Sequence, residues 1–324
     1  MIARTRRFLI GSTVIMVAGL GVGLLAYYGG GSAAPAQGQG ELAYVPADAA
    51  AVGYVSVREI MDSEFRQRIQ QVLPTGEERE EIESQLGIDF ERDIDSIVAG
   101  FSANERPETG AVLLVRGRIN QGQIEGMALQ HGAVVEEYNG KRMLVAHKGT
   151  DSEFEGGVAF LEGDLVGLGE LSALKAAVYA AATGASVTGN ADLMRFVTSM
   201  DPLADAWIVG SFEALSDYVP DDLPTQIPPI EWVAASATVN GGMSTTIRAE
   251  TRDIEAGQQL RDAVRGLIAL AQLATGEDAR LDTIVRSIQV GGVEKDVSVS
   301  FTVPAEIFDI INGVSALRNL TQGN

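Results

Sequence analysis

The chain contains no cysteine, and this absence excludes several kinds of chemistry at once. Without thiols there are no disulfides, no thiol nucleophile, no thiolate metal site and no lipid-modified N-terminal cysteine. The folded part of the chain must therefore be stabilised by packing rather than by cross-links.

Histidine is nearly absent too, with only His131 and His147 in 324 residues. A Ser-His-Asp hydrolase needs one of them, but no G-x-S-x-G nucleophile elbow occurs. His131 lies at the predicted end of a helix, where the helix dipole favours a positive side chain, and His147 ends a predicted strand. We interpret both as structural residues and assign no catalytic residue.

Basic residues are scarce, with 24 against 44 acidic residues and a net charge of -20. Such a body is repelled by nucleic acid and by anionic lipid headgroups, so no nucleic-acid partner is predicted. Its charge suits cationic peptides or divalent cations, although diffuse acidity usually serves solubility alone. Because no Walker lysine pattern or Rossmann glycine pattern occurs in a suitable context, no cofactor is predicted.

Acidic residues alternate in the stretch DFERDID, at Asp89, Glu91, Asp93 and Asp95, as ligands do in a calcium loop. The glycine of such a loop is missing, and Gly100 stands where a bidentate glutamate is needed. Helix capping is the favoured interpretation, and no metal site is predicted. Paired carboxylates of a glycoside hydrolase have no fixed spacing, so an envelope hydrolase that uses them, or a Ser/His pair, is the alternative function.

An uncharged apolar run of 21 residues, Phe8 to Tyr28, follows Arg4, Arg6 and Arg7. As a helix it spans about 31 Å, which matches the hydrocarbon core of a bilayer. The arginines favour a cytoplasmic N-terminus. The sequence therefore predicts a single-pass anchor in a bacterial inner membrane, with the soluble body on the periplasmic or extracellular side.

A cleaved signal sequence is the alternative for this run. Ala34-Pro35-Ala36 fits an A-x-A cleavage site, and Arg6-Arg7 before apolar residues resembles a twin-arginine export signal. The apolar run is longer than the apolar region of an ordinary signal peptide. Both interpretations place the rest of the chain outside the cytoplasm.

Composition divides the chain into four parts. Residues 1–28 form the cytoplasmic N-terminus and anchor, or signal sequence, and residues 29–40 (GGGSAAPAQGQG) form a flexible linker. Residues 41–189 and 190–324 form a first and a second α+β half. Each half is predicted to be an antiparallel sheet with helices packed on one face.

Local patterns predict the elements of both halves. Strands are expected at 51–57, 96–102, 111–119, 134–138, 142–147, 157–161, 165–169, 207–212, 232–239, 244–250, 285–290 and 297–303. Helices are expected at 60–73, 77–86, 121–131, 172–182, 191–199, 254–275 and 307–320. Asn139-Gly140 predicts a two-residue hairpin turn. The helix at 254–275 is expected to bury a stripe of Leu260, Val264, Leu267, Ile268 and Ala271.

An approximate internal duplication supports the division into halves. Pro46-Ala-Asp48-Ala, a strand with Gly53 and then Asp62 correspond to Pro202-Leu-Ala-Asp205-Ala, a strand with Gly210 and then Asp217. Residues 112–126 correspond to 244–257 as a strand, an arginine, a polar turn and a helix. The pattern indicates two similar halves.

Four stretches together resemble a group of uncharacterised bacterial exported envelope proteins, over about residues 42–215. They are LAYVPADAAAVGYVSV, LGIDFERDIDSIVAGF, VLLVRGRINQGQIEGMALQHGAVVEEYNGKRMLV and FLEGDLVGLGELSALKAAVYAA. The resemblance implies a single-anchor exported protein with repeated α+β units. It implies no catalytic residues, because the shared patterns are turn prolines, capping aspartates and hairpin glycines.

These observations predict a non-enzymatic, membrane-anchored protein of the bacterial envelope that binds a partner or assists assembly. Its predicted partners are the lipid bilayer, through residues 8–28, and an envelope protein, lipid or cell-wall ligand whose identity the sequence does not reveal.

Overall fold

A computed structural model describes residues 38–63, 89–102, 110–147, 155–215, 228–239, 241–274 and 279–304. The predicted anchor at 8–28, most of the helix at 60–73, and the helices at 77–86 and 307–320 lie outside these ranges. None of the helices within the ranges is long and apolar enough to span a membrane.

Twelve strands in the described ranges form one continuous antiparallel sheet. In chain order they are β1 Ala49–Ser56, β2 Ile94–Ser102, β3 Ala111–Gly117, β4 Val134–Tyr138, β5 Lys141–Ala146, β6 Gly156–Glu162, β7 Leu165–Glu170, β8 Ala206–Ser211, β9 Ile230–Val239, β10 Gly242–Thr251, β11 Gln289–Gly291 and β12 Asp296–Pro304. Their order across the sheet is β11-β12-β10-β9-β8-β1-β2-β3-β7-β6-β5-β4. The chain therefore has an α+β fold with a large antiparallel sheet.

The helices of the described ranges connect or flank these strands. They are α1 Gln39–Leu42, α2 Val57–Met61, α3 Phe90–Asp93, α4 Gln121–Gln130, α5 Leu171–Thr183, α6 Ala191–Thr198, α7 Phe212–Leu215, α8 Ile254–Ala274 and α9 Ala279–Ser287. The predicted strand at 285–290 is wrong in its first half, because α9 continues to Ser287. Ile284, Val285 and Ile288 fit helical spacing as well as strand spacing, so local pattern did not separate the two.

Helices cover both faces of the first half, which corrects the predicted one-sided arrangement. Leu114 and Val115 are neighbours in β3, so their side chains point to opposite faces. Leu114 packs in a cluster with Leu174 of α5, and Val115 packs in another with Ile124 of α4. We call these two sides of the sheet the α5 face and the α4 face. The continuous apolar run in β3 is typical of a strand buried on both faces.

Near the centre of the sheet, Trp207, Val209 and Ala234 of the second half are buried on the α5 face. Farther out, strands β9, β10 and β12 bury apolar side chains on the α4 face. Ala237, Val239, Met243 and Val297 are buried there. The strand register places hydroxyl side chains on the opposite, α5 face of β9, β10 and β12, namely Ser236, Thr238, Ser244, Thr246, Ser298, Ser300 and Thr302. Toward β10 and β12 the α5 face of the sheet therefore carries hydroxyl side chains where β3 carries apolar ones.

Helix α8 packs less deeply than its sequence pattern predicts. Leu260, Val264 and Ile268 are half-buried, but Leu267 is 45% exposed, so the predicted stripe is wrong at that position. Leu270 is 64% exposed as well. A stripe of apolar residues indicates which side of a helix is apolar, and the depth of packing depends on the neighbouring elements.

The predicted flexible linker ends earlier than Gly40. Gly38 has a φ of +78°, and an added Cβ there would lie 2.9 Å from the ring of Tyr54. Helix α1 begins at Gln39, and Leu42 is completely buried. The left-handed backbone and the close approach of the Tyr54 ring both require a glycine at position 38. Composition alone does not distinguish such a glycine from one in a flexible linker.

Candidate functional site

A small cavity opens on the α5 face where β1, β2 and β3 meet the first turn of α5. Its volume is about 80 Å³, and Asp48, Ser102, Ser172 and Ala173 are among its lining residues. Ser102 Oγ donates to Asp48 Oδ2 at 3.4 Å. Ligand pockets for drug-sized molecules typically have volumes of about 300–1,000 Å³. The cavity combines a carboxylate with hydroxyls but has no histidine in its lining, so it is not a Ser/His site.

His147 lies between two glutamates at the base of the β5–β6 connection. Its Nε2 is 3.0 Å from Glu136 Oε1, and its Nδ1 is 2.7 Å from Glu155 Oε1. The hydrogen bond with Glu155 is the main cause that raises the pKa of His147. Because the carboxylates contact different ring nitrogens, they do not converge on one metal position. The described residues contain no cluster of acidic and histidine side chains suited to a metal ion.

His131 follows the last residue of α4. Its Nδ1 lies 2.9 Å from the carbonyl oxygen of Met127, one helical turn earlier. This contact matches the predicted position of His131 at a helix C-terminus, where orphan carbonyls accept hydrogen bonds. Each histidine of the chain thus makes a structural contact in the described fold.

The acidic stretch DFERDID caps a short helix and forms ion pairs. Asp89 precedes α3, and its Oδ1 accepts from the N–H groups of Glu91 and Arg92 at 3.1 and 3.0 Å. Asp93 accepts from Arg92 Nε at 3.2 Å, and this hydrogen bond is the main cause that lowers the pKa of Asp93. Asp95 pairs with Arg58. A helix cap, as predicted for this stretch, is present at Asp89.

Arg116 joins the start of the folded body to β3. Its Nε donates to Glu41 Oε1 of α1 at 2.6 Å, and its Nη1 donates to Asp164 Oδ1 in the β6–β7 turn at 2.5 Å. Next to this pair, Tyr44 Oη donates to Glu162 Oε1 at 2.9 Å, and burial raises the pKa of Tyr44 to about 12. These contacts hold the segment that follows the linker against the sheet.

A second ionic cluster centres on Glu250 in β10, whose side chain is 3% exposed. Both carboxylate oxygens pair with Arg195 of α6, with Nη2 at 3.0 Å from Oε1, and Lys295 Nζ donates to Oε1 at 2.5 Å. The hydrogen bond with Arg195 is the main cause that lowers the pKa of Glu250. This cluster was not predicted from the sequence, in which its one signal is an acidic residue at the end of the predicted strand 244–250.

Asp205 is a buried carboxyl group at the start of β8. It is 5% exposed, and Val239 N–H donates to its Oδ2 at 2.7 Å. Burial raises the pKa of Asp205 to about 6. A raised pKa is what a general acid needs. Asp205, however, ties β8 to the end of β9 and is not among the residues that line the cavity.

The open edge of the sheet at β4 is the remaining candidate. Val134 and Val135 of this strand are 43% and 45% exposed, and Leu129 of the preceding helix is 46% exposed. Within the described ranges β4 pairs with β5 alone, so its other edge carries no partner strand. An edge of this kind is a main-chain binding surface.

No family model matches this sequence, and no curated protein matches it. Solved structures similar to this chain include crystal form III of TP0453, with a TM-score of 0.48 and 10% identity, covering 84% of this chain and 97% of that chain. Crystal form IV of TP0453 has a TM-score of 0.45 and 12% identity, covering 87% of this chain and 97% of that chain. The resemblance to uncharacterised envelope proteins stays a prediction.

Proposed function

We propose that this protein is a membrane-anchored, exported module of the bacterial envelope that acts by binding a partner rather than by catalysis. The observation that carries the proposal is how the polar side chains are used. Arg116, Glu250, Asp205 and His147 each hold two or more elements of the fold together. The open, partly apolar edge at β4 is instead available for binding.

We also propose that residues 41–189 and 190–324 are two halves derived from one unit. The sheet order β1-β2-β3 is repeated outward from the centre as β8-β9-β10. Strands β1 and β8 pair antiparallel at the centre of the sheet, so a two-fold relation between the halves would exchange these two strands. Asp48 and Asp205 then occupy the same place, directly before the first strand of each half.

Cell fractionation tests the proposed location. The full chain is expected in the inner-membrane fraction, with its body digested by protease added to the outside of spheroplasts. A variant that lacks residues 1–28 is expected to stay in the cytoplasm. Recovery of the full chain from the cytosol would overturn the proposed export. A mature N-terminus at Gln37 would show that residues 8–28 belong to a cleaved signal sequence and not to an anchor.

The alternative function is an envelope hydrolase that uses paired carboxylates or a Ser/His pair. The raised pKa of Asp205 is the observation that favours it. If this alternative is right, the protein releases soluble fragments from purified cell wall, and Asp205→Asn abolishes the release. No release by the wild-type protein at any pH between 4 and 8 would exclude a cell-wall hydrolase.

A further inference from the structure

The hairpin register determines which main-chain groups of β4 point outward. Asn139 and Gly140 have φ values of 46° and 74°, as in a two-residue type I′ turn, and Tyr138 pairs with Lys141 next to it. In such a hairpin the pair beside the turn exchanges hydrogen bonds, and alternate residues do so along the strand. Val135 and Glu137 therefore direct their N–H and C=O groups away from β5.

Apolar side chains flank these outward groups on both faces. Val135 pairs with Leu144, which belongs to the cluster on the α4 face, and Val134 pairs with Val145 on the α5 face. Leu129 projects from the helix that covers the same α4 face and is 46% exposed. A strand added at this edge would cover apolar surface as well as satisfying main-chain groups.

The opposite edge of the sheet offers fewer main-chain groups for strand addition. Its outermost strand, β11 Gln289–Gly291, has three residues. Ser287 Oγ at the end of α9 accepts from Thr302 N–H at 3.0 Å, on the part of β12 that β11 does not reach. Short and covered edges are the usual protection against unwanted strand pairing. β4 is longer, with five residues, and no strand in the described ranges pairs with its outer edge.

Charge decides what kind of segment the edge accepts. Glu137 is exposed on the α4 face, and Glu136 on the α5 face already pairs with His147 and lies 3.5 Å from Lys175. Two copies of β4 paired edge to edge would bring these glutamates close together, and each copy carries a net charge of -20. Like charges across a strand pair are destabilising, so a basic partner is favoured over a second copy.

We propose that the outer edge of β4 binds an extended, basic segment of a partner protein by strand addition. An apolar side chain of the segment lies beside Val135, and a lysine or arginine two positions away lies beside Glu137. The inference rests on the proposed function of the protein as a binding module, and it identifies the site and the chemistry of the partner.

Selection from a random dodecapeptide library displayed on phage tests the proposal with the full chain in detergent micelles. Enriched peptides are expected to alternate apolar and basic residues. Val135→Pro is the diagnostic variant, since it removes an outward N–H and leaves the bonds to β5 in place. We expect it to weaken binding of an enriched peptide by about tenfold or more, because a main-chain hydrogen bond is lost and the added ring clashes with the incoming strand.

Val135→Thr is the matched control, because it keeps both the N–H and the branched shape, and its affinity is expected to stay within about twofold. Glu137→Gln is expected to weaken binding by about two- to fivefold at low salt, as for an exposed ion pair. The proposal is overturned if no peptide is enriched, if enriched peptides are acidic, or if they bind Val135→Pro as tightly as wild type. Circular dichroism checks that Val135→Pro still melts cooperatively. As a second measurement, peptides are selected directly on Val135→Pro, and recovery of the same sequences would contradict the proposal.

Analytical ultracentrifugation separates the competing occupant. If the wild type is a dimer and Val135→Pro is a monomer, the occupant of the β4 edge is a second copy of the chain and not a basic partner. A monomer in both cases, together with peptide selection as expected, supports the proposal. Failure of export in cell fractionation would contradict the proposed location but would leave these binding results unchanged.

Discussion

Strands β1–β3 and β8–β10 extend in the same order from the centre of the sheet, yet their surroundings differ. Helices pack on both faces of β1–β3, whereas the α5 face of β9, β10 and β12 carries serine and threonine side chains. The middle of β3 reads VLLV and the middle of β10 reads STTI. Two sets of three strands in the same order can therefore have different surroundings, because side-chain polarity decides whether a strand face is covered.

The outer ends of the halves differ as well. Beyond β3 the first half adds four strands, β4–β7, whereas beyond β10 the second half adds the two strands β12 and β11. The extra hairpin β4–β5 provides the open edge proposed above as a binding site. Strands that are present on only one side of the sheet, such as β4 and β5, are therefore candidates for function.

Removal of a core side chain in the first half should have the largest effect. Leu114 is completely buried on the α5 face, and Leu114→Ala is expected to lower the free energy of unfolding by about 2–5 kcal/mol. Thr246→Ala, in the middle of β10 on the same face, is the matched control and should change it by less than about 0.5 kcal/mol. Urea titration measures both. Equal losses would contradict the difference in coverage between the halves.

Neutralisation of Glu250 should have the next largest effect on the free energy of unfolding. Glu250→Gln leaves Arg195 and Lys295 without their shared carboxylate, and we expect a loss of about 1–3 kcal/mol in thermal unfolding at pH 7. The pKa of Glu250 is lowered in the folded state, so this stabilisation is present above its ordinary pKa of 4.5 and is lost as the pH falls through the folded value.

Glu41→Gln tests the corresponding Arg116 cluster. It should lower the free energy of unfolding by less than Glu250→Gln, because Glu41 pairs with one cation instead of two. A larger loss for Glu41→Gln would reverse this ranking.

Asp205 should give the opposite pH dependence. Burial raises its pKa from 3.8 to about 6, so the unfolded state releases its proton first and the folded state loses stability as the pH rises from about 4 to 6. Asp205→Asn is expected to remove this slope and to raise the free energy of unfolding at pH 7 by about 1–3 kcal/mol, provided that the amide oxygen keeps the Val239 hydrogen bond. Asp48→Asn is the matched control, since Asp48 is exposed at the same place in the first half. An unchanged pH slope in Asp205→Asn would show that burial does not control this group.

The smallest effect is expected at His147 on the surface. Its pKa is raised mainly by Glu155, so its stabilising contribution is present below the ordinary value of 6.5 and is lost as the pH rises through the folded value. Glu155→Gln should lower the pKa of His147 in an NMR titration. Glu137→Gln is the control, because Glu137 lies on the face of the hairpin opposite to Glu136. An unchanged His147 titration in Glu155→Gln would contradict the described contact.

Most strands and helices of the described ranges could be predicted from the sequence. The hairpin at Asn139-Gly140 was predicted with its turn, and helix capping was predicted for DFERDID, in which Asp89 forms the cap. Trp207 begins the predicted strand 207–212, and it is buried against Tyr54 with ring centroids 5.9 Å apart. The strand at 285–290 and the burial of Leu267 were not predicted correctly, because each depends on neighbours distant in the chain.

The candidate site was less accessible to sequence reasoning than the fold. The sequence contains Val134, Val135 and the two following glutamates, but nothing in it shows that β4 is the last strand of the sheet. Edge position is a property of strand order, and strand order depends on long-range pairing. The predicted absence of catalytic residues stays a prediction.

Local physics thus determined the turns, caps and alternating strands of this protein, because positive φ angles, orphan N–H groups and strand periodicity act within a few residues. Only the tertiary structure decided that one sheet joins both halves, which faces are covered, and which strand is left at the edge. It also decided that Glu250 meets Arg195 and Lys295, which lie 55 and 45 residues away in the chain. Such contacts form because distant segments share one core, and no local pattern encodes which segments those are.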